Sequence, residues 1–166
     1  MTQAPVDAAS LREPAHRVSS RAPLLWGLGA ALPAVALLVL LAVGDRLGWF
    51  AVPTWLWPAY VVVVAGYVAV MPAVRYRVHR WESTATAVYT QTGWLGRERR
   101  IAPMSRVQTV DFDQSPLSRL LGLATVTVTT ASAAGPLHVA ALDVEVAQHL
   151  VDELTHRAEA DQSDAT

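Results

Sequence analysis

"TVDFDQSPLSRLLGLATVTVTT", Thr109–Thr130, is the stretch on which the reading of this chain turns. It starts as an alternating run, breaks at Gln114-Ser115-Pro116, passes through a Leu-rich stub and resumes alternating after Gly122. In the second run Ala124, Val126 and Val128 share one face, and Thr125, Thr127 and Thr129 share the other. That is the period-two pattern of a half-buried strand. Pro116 cannot continue a central strand but can open a helical turn. Leu117, Leu120 and Leu121 form a short apolar face suited to plugging an open end of a sheet. Gly122 permits the left-handed backbone that ends such a turn. The stub therefore reads as structural.

Working outward, short alternating runs separated by turn residues predict strands at 75–82, 86–92, 94–101, 107–113, 123–130 and 136–142. Gly93 marks one tight link, and Ala133-Ala134-Gly135-Pro136 another. The period then changes. Val144, Ala147, Val151, Leu154 and Ala158 recur at helical spacing, with Leu150 widening the stripe. Asp143 suits an N-cap, Glu145 the positive helix start, and His156 and Arg157 its end. The helix is expected to stop near Ala160, with residues 161–166 as a disordered tail. Residues 75–160 are thus expected to form a mainly antiparallel β domain, with six or seven strands, closed by a C-terminal amphipathic α-helix.

The front half is different. Hydrophobic residues make up 52% of the 166-residue chain and charged residues only 16%, too greasy for an average soluble domain. Leu24–Val43 and Val52–Val74 carry no charge. At about 1.5 Å per residue, each can cross a hydrocarbon core of roughly 30 Å. Only Gly44–Ala51 separates them, so residues 22–74 should form a transmembrane helical hairpin. A secretory signal has an apolar core of about 7–15 residues and no second span directly after it. Residues 1–21, with Pro5, Pro14 and scattered Ser and Ala, read as a disordered cytoplasmic N-terminus.

Arginines set the orientation. Arg12, Arg17 and Arg21 precede the hairpin, and Arg75, Arg77 and Arg80 follow it. The loop holds only Arg46, beside Asp45. The positive-inside rule puts both termini in the cytoplasm of a multi-pass cell-membrane protein. Trp49, Phe50, Trp55, Trp57 and Tyr60 suit an outer interfacial belt, and Trp26, Tyr76 and Trp81 an inner one. Gly27 and Ala31 have a spacing that lets helices approach closely. Neither span contains an ionisable residue, so the sequence offers no proton or ion path.

These parts carry a resemblance. Ile101, Pro103, Arg106-Val107-Gln108, Gln114, Pro116-Leu117 and Leu121-Gly122-Leu123-Ala124, placed after two spans, resemble the pleckstrin-homology-like (PH-like) domain of the YdbS-type bacterial membrane proteins. The resemblance covers roughly Leu24 to Arg157. It implies a PH-like barrel, a binding role at the bacterial membrane, and a larger membrane paralogue with repeated copies of the domain as partner. Trp81–Thr90 departs from the family pattern, being rich in Ala and Thr.

Little in the sequence points to catalysis. There is no Cys, so thiolate chemistry and Cys-ligated zinc are excluded together. His16, His79, His138, His149 and His156 are scattered. Asp111 and Asp113 share one side of a strand, which an exposed face explains without chemistry. No phosphate-binding Gly loop or nucleophile elbow occurs. The expectation is a non-enzymatic protein without cofactor or metal. A net charge of −1 and one nearby aromatic, Trp94, argue against nucleic acid. Charge is nevertheless split by sign. Arg75, Arg77, Arg80, Arg97, Arg99 and Arg100 crowd the membrane-proximal part and form the candidate site for anionic lipid or a partner protein. Alternation places Arg97 and Arg99 on one face, Arg100 with Glu98 on the other. Two readings stay open: a PH-like binding or scaffold protein docking a partner or anionic lipid, and a small accessory subunit of a membrane transport or secretion complex.

Overall fold

A computed structural model describes residues 13–131 and 135–164. Two long helices come first, α1 at Ala22–Arg46 and α2 at Leu56–Val78. They leave their apolar side chains outward: only 6% and 11% of their most apolar windows are buried against the rest of the protein. Such a surface is stable in lipid, where helices satisfy their own backbone. Gly27 faces α2, where an added Cβ would lie 3.7 Å from Pro72. The Tyr60 hydroxyl donates to the Ala34 carbonyl at 2.8 Å, tying the spans together. At the far end the Asp45 carboxylate accepts from the Val52 N–H at 2.7 Å and closes the loop, with Trp49 and Trp55 exposed beside it.

The described residues contain seven strands: β1 (His16–Arg17), β2 (Arg80–Ser83), β3 (Ala87–Gly93), β4 (Arg97–Pro103), β5 (Val107–Asp113), β6 (Leu123–Thr130) and β7 (Leu137–Asp143). They form two antiparallel sheets, ordered β1-β2-β3-β4 and β5-β6-β7. The stub is a short helix, α3 (Pro116–Leu120), and the chain closes with α4 (Val144–Asp164). The β6 face assignment holds: Val126 and Val128 are fully buried. They pack with Ala147, Leu150 and Leu154 of α4 in one core.

Four expectations need correction. The strand expected at 75–82 begins only at Arg80, because α2 runs on to Val78. Continuing the helix buries Val78, and the His79 N–H still bonds the Arg75 carbonyl at 2.8 Å. Arg75 and Arg77 therefore lie on a helix. The N-terminus is not disordered up to Arg21: residues 16–17 pair with β2, while residues 1–12 lie outside the described ones. The stub's leucine face does not plug an open end of a sheet, since Leu117, Leu120 and Leu121 are absent from the core between the sheets and α4. Leu120 is 82% exposed, and the Arg21 guanidinium donates to the Leu121 carbonyl, so α3 lies beside α1. Its boundaries are as expected, with Pro116 in the first turn and Gly122 at φ +67°; the N-cap, Ser115, which accepts from the Ser118 N–H, was not anticipated. Finally, α4 continues to Asp164, since no Pro or Gly interrupts residues 161–164. Of the link at 133–136, Ala133 and Ala134 lie outside the described residues.

Candidate functional site

The two-residue strand β1 decides where the domain sits. It precedes the hairpin, and its partner β2 follows it, so the spans are an insertion between neighbouring strands of one sheet. Arg17 stands opposite Arg80, and the Trp81 indole N–H donates to the Arg17 carbonyl at 3.3 Å. Past β1 the chain reaches the other sheet. The Ser19 N–H donates to the Ala141 carbonyl at 3.0 Å, and its hydroxyl to the Asp143 carboxylate at 2.7 Å. Ala141 takes a left-handed backbone, φ +58°, at this junction.

A second core fuses domain and hairpin: Val18, Ala22, Trp26, Met71 and Ala141 are all buried together. Trp26 is therefore a structural wedge, not the exposed inner-belt anchor expected. One of its neighbours is the His79 ring, with centroids 4.8 Å apart. The other is the Arg75 guanidinium, 4.5 Å from the Trp26 centroid. The His79 Nδ1 lies 2.9 Å from the Arg75 carbonyl; a carbonyl only accepts, so this nitrogen carries the proton. Burial, helped by the Arg75 charge, holds the His79 pKa below its usual value.

Two loops of the domain flank the hairpin. The β3–β4 turn brings Trp94 to Tyr67 of α2, ring centroids 6.2 Å apart. Tyr67 lies about two helical turns before Arg75, so this turn runs down beside the span. Leu95 at its tip is 90% exposed. Leu117 and Ser118 of α3, with its N-cap Ser115, line a groove against both spans.

The six candidate arginines do not form one cluster. Arg75 is drawn onto Trp26. Arg77 projects on another side, beside Pro72 and Tyr76. Arg80 and Arg97 converge, on different strands, upon Glu13, at 3.6 Å and 3.8 Å. Arg99 donates to the Gln91 side chain at 2.8 Å. Arg100 pairs with Glu98 at 2.7 Å, as alternation requires, and donates to the Pro136 carbonyl. Sequence reasoning missed Glu13, which lay in a segment read as disordered. It also missed Gln91, a buried side chain that joins Arg99 to the Val78 carbonyl. The polar triplet Thr90-Gln91-Thr92 inside a strand was its only trace. Asp111 and Asp113 are engaged separately, by Thr109 and Thr127. His149 lies 3.9 Å from Glu153.

Comparison with known proteins agrees with this architecture. The profile of the Bacterial PH domain family matches residues 23–158. The UPF0699 transmembrane protein YdbS of Bacillus subtilis (strain 168) is 31% identical over 160 residues, covering 92% of this chain and 98% of that protein. No solved structure gives a significant match.

Proposed function

The chain belongs to the bacterial PH domain family of membrane proteins, and from that premise we propose that it is a non-enzymatic docking module whose PH-like domain sits on the cytoplasmic leaflet. Arg97 and Arg99 meet anionic headgroups there. The observation that carries this reading is the Trp94–Tyr67 contact. It draws the β3–β4 turn alongside a membrane span, and Arg97 and Arg99 follow within a few residues. A cation at that level gains about 1 kcal/mol from an anionic leaflet. Arginines on both outer ends of the hairpin, with Asp45 offsetting Arg46 in its loop, support cytoplasmic termini.

One observation favours a second occupant, a partner protein of like fold. β4 stands at the end of its sheet, where a strand from another chain can add.

The test uses the full chain reconstituted in bilayers containing spin-labelled lipids. The fraction of motionally restricted lipid should favour anionic over zwitterionic headgroups, and less so as salt rises. Replacing Arg97 and Arg99 together by Ala should lower that preference more than twice as much as Arg100→Ala, because Glu98 offsets the Arg100 charge at 2.7 Å while Glu13 is shared between Arg97 and Arg80 at longer range. Absence of any preference at low salt sinks the lipid reading and leaves partner docking.

A further inference from the structure

A groove of about 720 Å³ opens on one side of the hairpin, between α1, α2 and α3. Gly29, Ala34, Val63 and Tyr67 of the spans give it an apolar wall. Arg75 also lines it, and Ser118 of α3 and its N-cap Ser115 add hydroxyls. No ion pair engages Arg75 among the described residues; its guanidinium rests on the Trp26 ring.

We infer that this groove holds one phospholipid with an anionic headgroup, its phosphate at Arg75 and an acyl chain along the spans. Dimensions agree. Val63 to Arg75 is roughly 18 Å of helix, against about 15 Å of hydrocarbon per leaflet. A slot at that depth opens onto lipid. The chemistry agrees as well. A cation above an apolar slot complements an amphiphile whose headgroup is net negative above its chain, whereas a zwitterionic headgroup brings an ammonium of its own to that place. An apolar partner helix would leave that cation uncompensated at the membrane boundary. The slot also has room, since a Cβ on Gly29 would meet no atom within 4 Å. The inference rests only on the hairpin's place in the membrane, and is independent of the Arg97 and Arg99 contacts proposed above.

Native mass spectrometry of the full chain, reconstituted with equal amounts of phosphatidylglycerol and phosphatidylethanolamine and then extracted, tests it. One phosphatidylglycerol per chain should be retained in preference. Arg75→Gln removes the cation, and Gly29→Leu fills the slot at a position where the added Cβ meets no atom. Each should lower retention about fivefold, the factor that corresponds to about 1 kcal/mol. Replacing Arg97 and Arg99 by Ala should leave retention unchanged. Equal retention of the two lipids, or wild-type retention by Gly29→Leu, overturns the inference. So does a transmembrane chain that copurifies with the wild type and is displaced by Gly29→Leu.

Discussion

Arg17 and Arg80 stand opposite each other in adjacent antiparallel strands, although both membrane helices lie between them in the chain. That pairing requires the two outer ends of the hairpin to lie together on one side. The chain has no native cysteine, so the pairing can be read directly. Arg17→Cys with Arg80→Cys should form an intramolecular disulfide on mild oxidation. In cells, a membrane-impermeant maleimide should label each single variant only after permeabilisation. Labelling of either in intact cells would contradict cytoplasmic termini.

The sheet register predicts a contrast between neighbours. Val126→Asp puts a charge in the core beneath α4 and should cost several kcal/mol, enough to unfold the domain. Thr127→Asp, half-exposed on the other face, loses hydroxyl contacts with Asp113 and His138 and should cost about 1 kcal/mol. Protease resistance of the full chain in detergent measures both. The reverse order would mean a register slip of one residue.

His79 makes the junction sensitive to acid. Its folded pKa is depressed, chiefly by burial, so the folded state binds the proton less readily than the unfolded chain. Stability is therefore full above the ordinary histidine pKa of about 6.5 and is lost as pH falls from there toward the lower folded value. His79→Gln, which keeps a donor for the Arg75 carbonyl, should flatten the decline in thermal stability between roughly pH 7 and pH 5. An equally steep decline in the variant would assign the acid sensitivity elsewhere.

Glu13 sits where an external anion would, between Arg80 and Arg97. The Arg97–Glu13 pair is exposed on both sides, and such pairs are worth about 0.2–1 kcal/mol, whereas Arg80 is largely covered. Glu13→Gln should accordingly raise the preference for anionic lipid at low salt, and lose that gain when Arg97 is also replaced by Ala. An unchanged preference would mean that Glu13 does not compete for the arginines.

Elements with strong local patterns were legible in the sequence. The Ala124–Val126–Val128 face, the Pro116 and Gly122 boundaries of the stub, and the amphipathic stripe of α4 all rest on residues a few positions apart. β1 was not legible, because two residues carry no period and the partner strand lies beyond the hairpin. The end of α2 was misread for a related reason. Arg75-Tyr76-Arg77-Val78 alternates like a strand, but packing on Trp26 keeps it helical. Leu117, Leu120 and Leu121 looked like a plug, since composition alone does not say that the exposed face of a stub lies beside a span. Strand alternation correctly separated Arg97 and Arg99 from Arg100. The convergence of Arg80 with Arg97 on Glu13 depended on β1 and was invisible with it.

The depth of Leu95 tests the seating of the domain most directly. A nitroxide on Leu95→Cys, in the full chain in bilayers, can be compared for collisions with oxygen and with a polar nickel chelate. The account predicts oxygen-favoured accessibility at a depth of about 5–10 Å, the range of interfacial elements. A label on Thr109→Cys, on the exposed face of β5, should be accessible to nickel. Equal nickel accessibility at both positions would contradict the account, because the β3–β4 turn would then stand in water and Arg97 and Arg99 away from the headgroups.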